Sequence, residues 1–147
     1  MAEITKSVTL DARREVVWAT LTAFDRIAEW AEDVDHSSLL TDQASGVGTT
    51  RRIQQGANAI TETIVKWQEP TCLAYRVDGL PPIFRQVINQ WDLTEKGERT
   101  QANLTVQVTT ARPPTAIAAQ IVARVIGRVN ARILNGLQAE MGRRQAP

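Results

Sequence analysis

Residues 113–142 read PPTAIAAQIVARVIGRVNARILNGLQAEMG, and the fold turns on how this stretch is placed. Pro113-Pro114 supplies the fixed backbone angle that opens a helix, and the helical pattern runs from there to about Gly142. Ile117, Ile121, Val125, Val129, Ile133 and Leu137 recur at four-residue spacing, which predicts a continuous apolar stripe. Arg124, Arg128 and Arg132 make a second stripe on another face. At about 1.5 Å per residue such a helix spans roughly 40 Å, enough to cross a whole sheet.

The residues before it supply that sheet. Glu3–Leu10 alternates, with Ile4, Val8 and Leu10 on one side of a strand. Asp11 then offers an N-cap, and Val16, Val17, Trp18, Ala19, Thr20 and Leu21 form a short amphipathic helix. A second short helix fits Asp25–Ala31, anchored by Phe24, Ile27, Ala28 and Trp30. From Asp35 onward the pattern predicts strands at about 35–42, 48–55, 59–68, 72–78, 84–94 and 100–110. Gly46 and Gly48, Gly56, Pro70, Gly79-Leu80-Pro81-Pro82 and Gly97 punctuate them. Connections this short make hairpins, so the sheet is antiparallel. The expected class is α+β, one domain over 1–147, with a curved sheet of six or seven strands gripping the C-terminal helix. Where a twisted sheet and a straight helix diverge, an apolar pocket is expected.

Composition narrows the chemistry. The chain has one cysteine, Cys72, and one histidine, His36, so an intramolecular disulfide and a two-histidine zinc site are both excluded. No phosphate-binding glycine loop, dinucleotide signature or nucleophile elbow is present, and neither a metal nor a cofactor is expected. No apolar run reaches membrane-spanning length and no signal-peptide pattern opens the chain, which makes a cytoplasmic location the expectation. Residues 112–147 carry net charge +5 and residues 1–111 net −4. A basic helix of this kind is read as a solvated face, with no nucleic-acid partner expected.

Several motifs, in order, resemble the START-like or helix-grip superfamily (SRPBCC), in its polyketide cyclase/dehydrase-like branch. They are Ala12-Arg13-Arg14-Glu15-Val16-Val17-Trp18, Phe24-Asp25 through Trp30, and Gly48-Thr49-Thr50-Arg51-Arg52. Ile60-Thr61-Glu62-Thr63-Ile64, Trp67-Gln68-Glu69-Pro70, Leu73-Ala74-Tyr75-Arg76-Val77 and Trp91-Asp92-Leu93 complete the set. The resemblance covers nearly the whole chain and is specific for fold. That fold hosts binders, lipid carriers and enzymes, so it implies an apolar small-molecule partner without choosing among them.

Candidate site residues follow from strand alternation. Glu62 shares a face with Ile60 and Ile64; if that face is concave, Glu62 is a buried acid suited to acid/base work, and otherwise it is solvated beside Lys66. The resemblance implies the inward placement, with a bulge before Trp67 turning that ring inward too. Leu73, Tyr75 and Val77 share one face of the next strand, and Val87, Asn89, Trp91 and Leu93 one face of the strand after it. Tyr75, Asn89 and Trp91 are then polar-tipped side chains able to orient a ligand. One of Arg51 and Arg52 points inward. The resemblance places His36 near where hormone receptors of this superfamily carry a cationic pocket residue; the alternative is an exposed histidine at a sheet edge. Leu80, Ile83 and Phe84 form either a lid or a buried loop tip, and Val125 of the helix stripe completes the expected lining.

Three functions are compatible with these residues. The first is binding or carriage of a lipid, aromatic or polyketide-like molecule. The second is an aromatase/cyclase or dehydratase with Glu62 or His36 as acid/base. The third is an interaction module using the basic helix. The chain is expected to be a monomer or homodimer.

Overall fold

The computed structural model describes residues 2–82, 84–111 and 116–145. Among these residues seven strands form one antiparallel sheet: β1 (Ala2–Leu10), β2 (His36–Leu39), β3 (Thr50–Gln55), β4 (Asn58–Gln68), β5 (Cys72–Asp78), β6 (Phe84–Lys96) and β7 (Arg99–Thr110). Their order across the sheet is β1-β7-β6-β5-β4-β3-β2. Chain neighbours pair as hairpins from β2 to β7, and β1 closes the far edge on β7. Helix α1 (Arg14–Thr22) and a 3-10 helix (Phe24–Glu29) bridge β1 to β2, and α2 (Ala116–Gln145) packs on the sheet. The helix start expected at Pro113-Pro114 lies outside the described residues.

Alternation sets the inner face. Along β7, Thr100, Ala102, Leu104, Val106 and Val108 are buried in turn, while their neighbours are not. The main core joins Leu73, Tyr75, Trp91 and Leu104 of the sheet to Val17, Leu21, Phe24 and Ile27 of the short helices, and to Leu134, Leu137 and Met141 of α2. A smaller cluster, Ala2, Val87, Val106, Val108 and Ala123, lies under the N-terminal half of α2. A register shift between Ile64 and Lys66 gives β4 a bulge. Beyond it Trp67 packs edge-on to Trp18, with ring centroids 5.2 Å apart. Asp11 does not cap α1: the position before the helix is Arg13, without a side-chain cap, and Asp11 pairs with Arg99 at 2.7 Å instead.

Helix α2 is rotated from the expected setting. Its buried face is Ala123, Gly127, Asn130, Leu134, Leu137 and Met141, spaced alternately by four and three. That alternation follows the 3.6-residue turn, whereas each constant step of four drifts by about 40° around the axis. The expected row therefore winds around the helix. Ile117, Ile121 and Val125 are 75%, 56% and 53% exposed, Val129 and Ile133 are half-buried, and Leu137 is fully buried. Val125 is thus a surface residue, which corrects its expected place in the cavity lining.

Close approach fixes the helix on its support. A Cβ at Gly136 would stand 2.5 Å from the Trp30 carbonyl oxygen, so only glycine permits this contact. At Gly127 the nearest atom is the Ile4 Cγ2 at 3.1 Å, a side chain able to move aside.

Candidate functional site

The sheet and α2 diverge above β3, β4 and β5, and a half-open cavity of about 340 Å³ fills the gap. Ile60, Glu62 and Val77 line it from the sheet, and Asn89 from β6. Ile126, Val129, Asn130 and Ile133 wall it from α2. Gln55, Asn58 and the turn Gly79-Leu80-Pro81 stand at its rim. Gly79 has φ near +100°, a conformation that lets the β5–β6 connection fold over this opening. Leu80 and Pro81 hold the place expected of a lid, Phe84 instead packs half-buried against the smaller core cluster, and Ile83 lies outside the described residues.

At the inner end stands a buried ion pair. Arg51 and Glu62 are cross-strand partners on the concave face and are 2% and 5% exposed. Arg51 donates from Nε and Nη2 to Glu62 Oε1 at 2.9 and 2.7 Å, and from Nη1 to the Phe24 carbonyl at 2.9 Å. Its guanidinium carbon lies 3.7 Å from the Phe24 ring centroid and 5.0 Å from that of Tyr75. Arg51 is therefore the inward arginine, and Arg52 points out beside Gln54. Glu62 faces inward, as the resemblance implied, and its charge is met there by a fixed guanidinium. Both bonds use Oε1, and Oε2 has no hydrogen bond among the described residues.

Asn130 donates from Nδ2 to Asn89 Oδ1 at 3.0 Å, joining helix to sheet across the cavity wall. This bond leaves one amide NH2 and one amide carbonyl without a hydrogen bond among the described residues. Reversing both amides end for end would leave the same two functions. A ligand polar group entering here meets a carboxylate oxygen, a donor and an acceptor.

Tyr75 and Trp91 lie behind this end, not in the cavity wall. Trp91 donates from Nε1 to the Tyr75 hydroxyl at 3.2 Å, and both rings are buried beside Leu73 and Arg51 with no room for a water molecule among them. Burial, reinforced by the nearby Glu62 carboxylate, pushes the Tyr75 phenol up to about 12. It stays a neutral hydroxyl at any physiological pH. The Cys72 thiol is also raised, by burial and then by Asp92, which keeps it a poor nucleophile.

His36 is not part of this constellation. It pairs with Gln54, whose side chain shares the outer face with Arg52, so β2 turns the imidazole away from the concave side. It is exposed on a shallow depression with Asp25, Arg26 and Glu29. Of the seven candidate residues, Glu62 and Asn89 line the cavity, and His36, Tyr75, Trp91, Phe84 and Val125 do not. Asn130 was hidden from sequence reasoning, because an asparagine in a helix reads as polar surface. Its one signal was its place on the buried row with Ala123 and Leu134.

No groups of histidine, cysteine or acid able to hold a metal occur among the described residues. None of their helices is long and apolar enough to cross a membrane.

Known proteins resemble this architecture closely. The Zhui aromatase/cyclase from a Streptomyces species is 23% identical, with a TM-score of 0.77 over 99% of this chain and 96% of that one. A Thermobifida fusca protein solved by NMR is 23% identical, with a TM-score of 0.82 over 99% and 96% of the two chains. A START superfamily protein from Mycobacterium smegmatis is 12% identical, with a TM-score of 0.75 over 96% and 97%. At these identities the likeness is one of fold. Among curated protein sequences none matches. A family model described as polyketide cyclase / dehydrase and lipid transport matches residues 1–142, nearly the full chain, and the protein belongs to that family.

Proposed function

We propose that this protein binds or carries a hydrophobic small molecule, lipid, aromatic or polyketide-like, in the cavity between the sheet and α2. The observation that carries this reading is a largely aliphatic cavity of about 340 Å³ whose polar lining inside the rim is Glu62, Asn89 and Asn130. Ile60, Val77, Leu80, Ile126, Val129 and Ile133 favour an apolar body. The polar groups favour a neutral end bearing a hydroxyl for Glu62 and a carbonyl or hydroxyl for the asparagines. An anionic end would meet the Glu62 carboxylate and be disfavoured.

Calorimetric titration with 2-naphthol and 2-naphthoate, matched in shape and opposite in charge, tests this. The naphthol should bind the tighter of the two by tenfold or more. Equal affinity, or preference for the naphthoate, would remove the proposed role of Glu62.

A second reading has its own support in the unengaged Oε2 of Glu62, in a cavity that Asn89 also lines. A carboxylate with a free oxygen in an apolar cavity can take a proton from carbon next to a carbonyl, with the amide of Asn89 holding the resulting enolate oxygen. That is the chemistry of an aromatase/cyclase or dehydratase. It predicts conversion of a poly-β-ketone substrate, lost in Asn89→Leu while 2-naphthol binding falls only modestly.

A further inference from the structure

The apolar row of α2 does not end at the cavity. Val129 and Ile133 line it, and the same four-residue row continues up the helix through Val125, Ile121 and Ile117, each more than half exposed. Because each step rotates by about 40°, the row forms a ramp from the outward face of the protein to the cavity wall. Isolated exposed aliphatics are ordinary, but three in register, continuous with an apolar cavity, are an exposed patch that calls for a partner.

The charges beside the ramp indicate what that partner is. Arg124, Arg128 and Arg132 are exposed on the same outward face, and no Asp or Glu occurs between residues 116 and 139. Arg132 lies 3.4 Å from Asp33, whereas Arg124 and Arg128 have no ion-pair partner among the described residues. We propose that this face docks on an anionic lipid bilayer, with Ile117, Ile121 and Val125 entering the apolar boundary and Arg124 and Arg128 meeting the headgroup phosphates. A second copy of the chain is a poorer occupant, since two such faces brought together oppose arginine to arginine. A nucleic acid is poorer too, since it offers nothing to the aliphatic row. Docking here would set the cavity beside the bilayer, so that an apolar molecule passes along the ramp without crossing water. The exchange step rests on the proposed function; the docking does not.

Co-sedimentation with vesicles tests it, using phosphatidylcholine alone and phosphatidylcholine mixed with phosphatidylglycerol. The protein should pellet with the mixed vesicles, weakly or not at all with the neutral ones, and less as salt rises. Arg124→Gln with Arg128→Gln should weaken binding by about twentyfold or more. Ile121→Ser with Val125→Ser should weaken it comparably, and thermal melts should show both variants folded. Absence of pelleting with mixed vesicles overturns the proposal, as does pelleting unchanged in both variants. A dimer in sedimentation velocity that Val125→Ser dissociates would assign the face to a second copy and also overturn it. A chain that takes up 2-naphthol yet ignores vesicles loses this inference and keeps the proposed function.

Discussion

Substituting Glu62 tests the physical core of the site. In Glu62→Leu the Arg51 guanidinium loses both bonds to its anionic partner, at 2.9 and 2.7 Å, and keeps only the bond to the uncharged Phe24 carbonyl. It remains in a position 2% exposed. Removing one partner of a buried pair costs about 3–5 kcal/mol, because the remaining charge is neither solvated nor compensated. Glu62→Gln keeps an oxygen that can accept both bonds and loses only the charge, so about 2–3 kcal/mol is expected. For a domain of this size those costs lower the melting temperature by roughly 5–15 °C. Arg51→Met combined with Glu62→Leu removes both charges and should recover most of the loss. The assay is urea denaturation of the parent protein, Arg51→Met, Glu62→Leu and the double variant, read as a double-mutant cycle. A Glu62→Leu melt within a degree of the parent protein would refute the reasoning. So would additive effects of the two single changes.

Further expectations follow from the helix and the lone tyrosine. Gly136→Ala drives a methyl into the Trp30 carbonyl at 2.5 Å and should cost about 2–3 kcal/mol or more. Gly142→Ala, with open space around it, should stabilise by about 0.5–1 kcal/mol; equal melts for the two would contradict the close helix contact. Leu134→Asp buries an unpaired carboxylate and should cost several kcal/mol, whereas Val125→Asp, 53% exposed, should cost about 0.5 kcal/mol, and the reverse order would mean α2 is rotated otherwise. Tyr75 is the only tyrosine, so the rise in absorbance at 295 nm with pH, over the constant tryptophan background, reports it alone. Its folded value of about 12 lies above the ordinary value of 10, so its contribution is intact below pH ~10 and is lost as pH rises toward 12. Ionisation near pH 10 in the still-folded protein would show that the ring is not buried.

The fold was readable because it rests on period and punctuation. Strand alternation, glycine and proline breaks and one long helix led to the same architecture, and β5 occupies the expected residues 72–78. Alternation also placed Tyr75, Asn89 and Trp91 on the concave side, whereas for Glu62 it left both faces open and the family resemblance implied the inward one. It could not separate a cavity wall from a packed core, since both are inward. Trp91 and Tyr75 fill their space with each other, while Asn89 meets the cavity. The Arg51–Glu62 pair depends on the register of β3 against β4, which neither strand states alone. The helix setting failed for a geometric reason. A row at constant four-residue spacing cannot stay on one face, so the buried row had to run through Gly127 and Asn130, which hydrophobicity passes over.

If the space between the sheet and α2 is a binding site, one titration shows it. A neutral apolar fluorophore, N-phenyl-1-naphthylamine, is added to the parent protein and to Val129→Trp, which pushes an indole into the cavity from its α2 wall. The parent protein should bind the dye saturably and one to one, the variant at least tenfold more weakly, and their melts should differ by only a few degrees. Equal binding to both proteins, or a non-saturating signal in both, would place the dye on the surface and mean that the cavity is not the binding site.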